Sequence, residues 1–340
     1  MCGTFTVVSV MDFKNVLVVG GAGYIGSHTC KELKLSGFNP VVLDNLSEGH
    51  DWSVKYGILE NGEAGDYEFV TNVLKKHEIG SVLHFAAHAY VGESVSNPRK
   101  YIKNNVTAMD TLLGACIDSG VKKVIFSSSC ATYGVPQYVP LNESHPQAPI
   151  SPYGETKYMG ERILHWYSGA YDLRYVALRY FNASGADPDG EIGEVHDPET
   201  HLIPLILQAI LGKRPHIGVF GTDYDTPDGT AVRDYVHVKD LASGHVKALQ
   251  YLIDGGESTK INLGSGHGYS VKEVIDTAAK VTGKPVPVEY QARRAGDPPS
   301  LYANPELANE LLKWKPEYSD LETILRTAWN WENKRAELGV

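Results

Sequence analysis

Short apolar runs alternate with stretches of helical spacing through the first half of the chain. Residues 16–19, 40–44, 81–85, 123–128 and 174–180 are rich in Val, Leu and Ile and read as buried strands. Between them, residues 27–36, 69–77, 101–119 and 153–167 carry apolar positions spaced for one face of a helix, and Gly37 ends the first of these. Strand and helix in strict alternation predict an α/β fold with a parallel, doubly wound sheet of Rossmann type. Residues 47–65 are polar and glycine-bearing and show no period. From Asn182 the pattern changes. Gly, Pro and Asp crowd residues 184–200, an apolar helix is expected at 204–211, and residues 234–238 and 260–263 again read as sheet strands. The expected organisation is a sheet-bearing domain over residues 12–181, to which the chain returns at 231–266. Residues 182–230 and 267–335 then build a smaller, mixed α/β lobe for the substrate.

With 340 residues and 42% hydrophobic content the chain can bury two cores. Its net charge of −10 disfavours sequence-independent binding to nucleic acid or to anionic membrane surfaces, so any anionic ligand must be met by locally placed arginines. Cys2, Cys30, Cys116 and Cys130 are scattered without a C-x-x-C pair, which reads as reduced thiols in the cytoplasm rather than disulfides or zinc ligands. The first ten residues are apolar but lack a basic start, and a loose tail is expected before Met11. No stretch approaches the length of a membrane span.

Candidate chemistry begins where the first strand ends. Gly20, Gly23 and Gly26 form a G-x-x-G-x-x-G turn into a helix. Such a turn brings a pyrophosphate close to unpaired backbone N–H groups at a helix N-terminus. A tight turn alone could explain the glycines, but the second strand ends in Asp44, placed to accept hydrogen bonds from a ribose diol and to repel a 2′-phosphate. The combination predicts NAD(H) in preference to NADP(H). Small residues Ala86 and Ala87 after the next strand permit a ligand to come close, and would also suit helix packing.

Tyr153 and Lys157 lie one turn apart on a predicted helix, and Ser129 follows a strand that points to the same sheet edge. A phenol is a poor base at neutral pH, but a neighbouring ammonium and a cationic nicotinamide would favour its ionised form. Ser129 could hydrogen-bond the reacting oxygen and Lys157 could hold the nicotinamide ribose, which together serve oxidation of an alcohol to a ketone. His84 and His88 lack partners for a metal in sequence, and Cys130 lacks the His and Asp of a nucleophile site, so no metal ligand and no cysteine nucleophile are expected.

These motifs, together with HFAA (84–87), VGESV (91–95), SSSCATYG (127–134), SPYGETK (151–157), RYFNASGA (179–186), DGTAVRDYVHV (228–238), INLGSG (261–266) and RRAGDPPSLYA (293–303), resemble the extended short-chain dehydrogenase/reductase superfamily. Within it the chain looks most similar to the UDP-galactose (UDP-glucose) 4-epimerase family, from about Asn15 to Trp331. The resemblance implies that NAD stays bound while a UDP-sugar is oxidised at C4, rotates as the 4-keto sugar, and is reduced on its opposite face, with no net redox change. It implies Ser129, Tyr153 and Lys157 as catalytic residues. For the cofactor it implies Gly20, Gly23, Tyr24, Ile25, Gly26, Asp44, Asn45, Glu63, Ala64, Phe85, Ala86, Ala87, Asn104, Ser127 and Tyr180, besides Tyr153 and Lys157. For the substrate it implies Ser129, Asn182, His201, Leu202, Phe220, Arg233, Tyr235, Arg294, Asp297 and Leu301.

Three places depart from the common family pattern: Asn61-Gly62-Glu63-Ala64 replaces a typical Gly-Asp-Ile run that contacts adenine, Ala89 stands where many relatives have Lys, and His201 where Asn is common. Leu301 occupies the position that limits room at the sugar C2 substituent, which favours UDP-glucose and UDP-galactose over their N-acetylated forms. The combined strings also suit UDP-xylose/UDP-arabinose 4-epimerases. A 4,6-dehydratase would need carboxylates after Ser129, where Cys130-Ala131 stand. A uronate decarboxylase and a non-catalytic NAD-binding sensor remain as further alternatives. The resemblance also implies a homodimer built on the helices at 101–119 and 153–167.

Overall fold

The computed structural model describes residues 14–294 and 297–339. The expected tail before Met11, Cys2, and the first two residues of the 12–181 segment lie outside the described residues. Seven parallel strands form the main sheet, in the spatial order Thr259–Leu263, Arg174–Tyr180, Lys123–Ser129, Ser81–His84, Asn15–Val19, Asn39–Asp44 and Ile58–Asn61. Helices cover both faces, which is why the central strands read as continuous apolar runs. Val16, Leu17, Val18 and Val19 are each fully buried. Val16 and Val18 pack on one side with Leu249 and Trp314. Leu17 and Val19 face Val70, Leu74 and Leu112 on the other.

The first strand in chain order, Asn15–Val19, lies between Asn39–Asp44 and Ser81–His84, so the chain reverses its direction of winding there and leaves a crevice at the strands' C-terminal ends. Gly20 follows that strand with φ +83°, and a Cβ on it would come within 2.5 Å of Ala86 N. Only glycine fits, and the closeness comes from two backbone N–H groups, of Phe85 and Ala86, that donate to the Val19 carbonyl. A Cβ on Gly26 would meet Gly20 O at 2.2 Å, so its absence lets the helix Tyr24–Leu35 sit on the strand.

Several elements differ from the sequence reading. The first helix starts at Tyr24 rather than at residue 27, because Gly23 caps it directly. A third strand, Ile58–Asn61, forms at the sheet edge within the stretch that shows no period; half-exposed and flanked by one neighbour only, it needs no apolar run. The helix expected at 101–119 divides into Pro98–Tyr101, a π-helical stretch Ile102–Thr107 and Ala108–Asp118. Residues 234–238 do not join the main sheet: Tyr235–His237 pairs in parallel with Asn182–Ser184 in a separate two-stranded ribbon. Residues 260–263 do join it, as its outermost strand beside Arg174–Tyr180. The remaining chain packs helices Leu202–Ile210, Val271–Thr282 and Leu321–Leu338 around Ile206, Val274 and Ile324. Among the described residues no helix is long and apolar enough to cross a membrane.

Candidate active site

At the crevice, Asp44 closes the glycine turn from below. Its Oδ2 accepts from Ala22 N and its Oδ1 from Leu46 N, each at 2.9 Å. Burial raises its pKa and these two hydrogen bonds oppose the rise. A carboxylate so held has a spare lone pair on each oxygen and a fixed position, the two requirements for gripping a diol. A Cβ on Gly23 would meet only Gly20 O, at 3.4 Å, so the protein itself leaves the space above the helix N-terminus free. That helix has no acidic residue in its first turn and no side-chain cap, leaving its N–H groups for an anion. Asn45 Nδ2 donates to both carboxylate oxygens of Glu63, at 3.1 and 3.2 Å, which places Glu63-Ala64 beside Asp44 on the adjoining strand end.

On the other side of the first strand the sheet delivers the proton-transfer groups. The strand Lys123–Ser129 ends in three serines, each with its own partner. Ser127 Oγ bonds the Tyr180 hydroxyl, Ser128 Oγ donates to Glu161 at 2.6 Å, and Ser129 Oγ accepts from Ala131 N at 3.1 Å. Helix Pro152–Tyr171 starts on a Ser151 cap and presents Tyr153 and Lys157 toward them one turn apart. Ser129, Tyr153 and Lys157 are therefore brought together as the sequence spacing predicts. The Ser129 hydroxyl hydrogen-bonds Tyr153, which favours the ionised phenol, but burial outweighs it and pushes the phenol up to about 12. The expectation that the ammonium lowers it is not met by the chain alone. Lys157 Nζ donates to Ser127 O at 2.7 Å and stands 6.0 Å from the Tyr153 ring centroid.

Lys157 is 4% exposed, and burial alone pulls its amine down to about 7. The unfolded chain holds this amine near 10.5, so between pH 7 and 10.5 the unfolded state binds more protons and the group's contribution to stability rises with pH. In the cofactor-free chain, Lys157→Met is accordingly expected to stabilise by about 2–4 kcal/mol at pH 6. The gain should shrink steadily toward pH 10, followed by urea unfolding across that range. A difference that ignores pH would refute the assigned cause.

One functional support was missed by sequence reasoning. Glu161 lies one turn beyond Lys157 on the same helix and is fully buried against Arg179, whose Nε and Nη2 donate to its two oxygens at 2.8 and 2.6 Å. Burial raises the carboxyl's pKa, but the Arg179 hydrogen bonds and charge prevail and hold it below the ordinary value. The signal was present as a Tyr153, Lys157, Glu161 stripe at four-residue intervals. Asn105 supplies a second tie, donating to His88 O and Thr156 Oγ1 and accepting from His88 N and from the neighbouring Asn104.

The substrate-side residues converge on the same edge from the later chain. Asn182 Nδ2 donates to Asp234 O at 2.8 Å, and Tyr235 is buried in the ribbon beside it. Arg233 and Leu301 are register partners on adjoining short strands, and Arg233 pairs with Asp297. The Arg294 guanidinium stacks on Phe220 at 3.7 Å from the ring centroid. Asp234, next to Arg233, accepts from Ser265 and from Ala303 N and is buried. His201 caps helix Leu202–Ile210, with Leu202 as its first residue. Tyr24 Oη donates to Gly185 O at 2.6 Å, tying the glycine turn to this region, and Ile25 packs beneath it in the core. Phe85 lies at 4.6 Å from the His245 ring, between Ala86, Ala87 and the sheet.

The profile of the NAD dependent epimerase/dehydratase family matches residues 16–264. UDP-glucose 4-epimerase of Rhizobium meliloti (strain 1021) is 53% identical over 329 residues, 97% of this chain and 100% of that protein. UDP-glucose 4-epimerase of Lacticaseibacillus casei is 50% identical, over 95% of this chain and 98% of its own length. The crystal structure of UDP-glucose 4-epimerase from Brucella ovis in complex with NAD superposes with a TM-score of 0.92 at 54% identity, covering 93% of this chain and 97% of that one. A seven-stranded parallel sheet with this crevice, these motifs in this order and identity at that level over nearly the whole length have one meaning: the chain belongs to the UDP-glucose 4-epimerase family, within the NAD dependent epimerase/dehydratase family.

Proposed function

We propose that this chain interconverts UDP-glucose and UDP-galactose by inverting C4, with NAD as a resident cofactor. The observation that carries the proposal is the convergence of Ser129, Tyr153 and Lys157 beside the Gly20 turn, at the one place where the sheet leaves a crevice. The residues present fit the dinucleotide. Asp44 offers a fixed carboxylate, Gly23 leaves space over bare N–H groups, and Lys157 is a buried amine with no carboxylate against it among the described residues. Asp44 and Asn45 would hold the adenosine ribose with Glu63-Ala64 nearby, the Gly20–Gly26 turn with Tyr24 and Ile25 the pyrophosphate, and Phe85, Ala86, Ala87, Asn104, Ser127 and Tyr180 the nicotinamide end.

When bound, NAD supplies a reversible hydride acceptor and a positive ring. Everything else belongs to the chain. Tyr153 Oη takes the sugar 4-OH proton and later returns it, aided by the Ser129 hydroxyl. Since burial leaves that phenol at about 12 in the chain alone, proton acceptance depends on added positive charge. Lys157, whose Nζ already donates to Ser127 O, keeps a further N–H for a ribose hydroxyl. Arg233, Arg294 and Asp297 would grip UDP, with Asn182, His201, Leu202, Phe220 and Tyr235 around it. A firm hold at the nucleotide end with a loosely held hexose is what permits the 4-keto sugar to turn over.

The test is incubation with UDP-glucose and no added oxidant, followed by product chromatography. UDP-galactose should accumulate to an equilibrium mixture; a product lacking water or carbon dioxide, or none, rejects the reading. Leu301 predicts that UDP-N-acetylglucosamine is turned over at least about tenfold less efficiently than UDP-glucose, by kcat/KM. Comparable values would contradict the role given to Leu301. The proposal extends to a cytoplasmic enzyme of galactose metabolism. It also includes a homodimer through helices that expose Ile102, Trp166 and Tyr171, a composition that suits a helix-on-helix interface.

A further inference from the structure

Between the ribbon strand Asn182–Ser184 and helix Leu202–Ile210 the chain runs without regular structure, yet four side chains there meet at one point. They are Glu194, His196, Glu199 and His201, each offering one ligand atom, and the four atoms lie within 4.8 Å of one another. We propose that these residues bind a divalent transition-metal ion of the zinc class, as a structural centre that fixes this loop.

Three observations carry the assignment. Glu194 Oε1, His196 Nδ1 and Glu199 Oε2 are buried and none makes a well-aligned hydrogen bond, their polar neighbours being one another and His201. Glu194 is 5% exposed, and the Glu199 side chain is likewise 5% exposed. Orphaned polar atoms in that setting are costly unless something else satisfies them. Second, the spacings suit a shared centre. His201 Nδ1 lies 2.7 Å from Glu194 Oε1 and 3.2 Å from Glu199 Oε1, while His196 Nδ1 lies 3.1 Å from Glu194 Oε1 and 3.7 Å from Glu199 Oε2. Ligand atoms about 2.1 Å from one tetrahedral ion are about 3.4 Å apart. At His196 the contacts to both carboxylates fall within 3.7 Å without meeting hydrogen-bond geometry.

Third, the supporting bonds orient the ligands. Glu199 Oε1 accepts from the N–H groups of Thr200 and His201, at 2.7 and 2.8 Å, which turns Oε2 inward. Trp331 Nε1 donates to Glu194 O, and His50 Nε2 lies 3.2 Å from Val195 O, so both ends of the ligand pair are tethered. Two imidazoles with two carboxylates favour zinc, cobalt or nickel over calcium or magnesium, and four protein ligands make a closed, structural centre. The signature in sequence is E-x-H-x-x-E-x-H, which the search for C-x-x-C and neighbouring histidines overlooks. The inference meets the epimerase reading at His201 alone, which with Nδ1 on the ion keeps only Nε2 and its backbone for the nucleotide side.

The test uses the full chain without a histidine tag, purified after growth with added zinc and dialysed against metal-free buffer. Elemental analysis should find about one equivalent of zinc per chain, falling below about a tenth in Glu194→Gln and His196→Gln. The stripped chain should take up cobalt(II) and show the intense visible bands of a tetrahedral centre, and a chelator should lower its melting temperature. Glu199→Gln, which keeps the side chain's shape, serves if His196→Gln fails to fold. Zinc content below a tenth of an equivalent, or a full equivalent retained in the folded variants, overturns the assignment.

Discussion

Tyr153→Phe is expected to lower epimerase turnover by about a thousandfold while UDP binds within about threefold of the parent affinity. The variant deletes one oxygen from a side chain whose ring stays packed, so folding is untouched, as are Arg233, Arg294 and Asp297, the residues proposed to hold the nucleotide. What it removes is the hydroxyl that meets Ser129 and carries the exchangeable proton assigned to the reaction. Loss of binding energy would appear in KM, whereas loss of proton transfer appears in kcat, and the split between them decides the role. Initial rates with UDP-galactose and calorimetry with UDP measure the two. Turnover above a tenth of the parent value would remove Tyr153 from the chemistry and leave Ser129 or a bound water to act as base.

That prediction was largely legible before any coordinates existed, and the reason is local. A glycine turn, a strand-terminal acid and a Tyr-Lys pair one helical turn apart are short-range patterns, so spacing along the chain already dictates their geometry. Longer-range features were not. Tyr235–His237 is as apolar as a sheet strand, but its partner is decided by where Asn182–Ser184 runs after the sixth strand of the sheet, which no local pattern records. Ile58–Asn61 escaped notice because an edge strand with exposed ends needs neither an apolar run nor strict alternation. Arg233 and Asp297 illustrate a third limit. The sequence leaves two readings open for them, a grip on the nucleotide or an ion pair with an acid, and with 64 positions separating the two residues no local pattern chooses; the structure shows the pair.

Glu161→Leu is expected to destabilise the chain by about 3–5 kcal/mol, because it strands a buried guanidinium. Arg179 is 1% exposed and Glu161 is completely enclosed; Ser128 and Gln147 also spend their hydrogen bonds on this carboxylate. Deleting it leaves Arg179 with Tyr133 as its nearest remaining hydrogen-bond partner, at 2.9 Å, and no carboxylate directly against it among the described residues. The penalty belongs to the orphan rather than to the pair. Adding Arg179→Met to Glu161→Leu should therefore recover at least about half of the lost stability, since a matched apolar pair avoids desolvating either ion. Urea unfolding of the two single variants and the double variant completes the cycle, and a double variant no better than Glu161→Leu would show that the pair itself holds the fold. Turnover separates structure from positioning: Ser128 adjoins Ser129, so the double variant should regain stability without regaining the full kcat. That asymmetry is expected because Glu161 ties the helix that carries Tyr153 and Lys157 to two strands at once, to Lys123–Ser129 through Ser128 and to Arg174–Tyr180 through Arg179, a polar coupling that apolar contact does not reproduce.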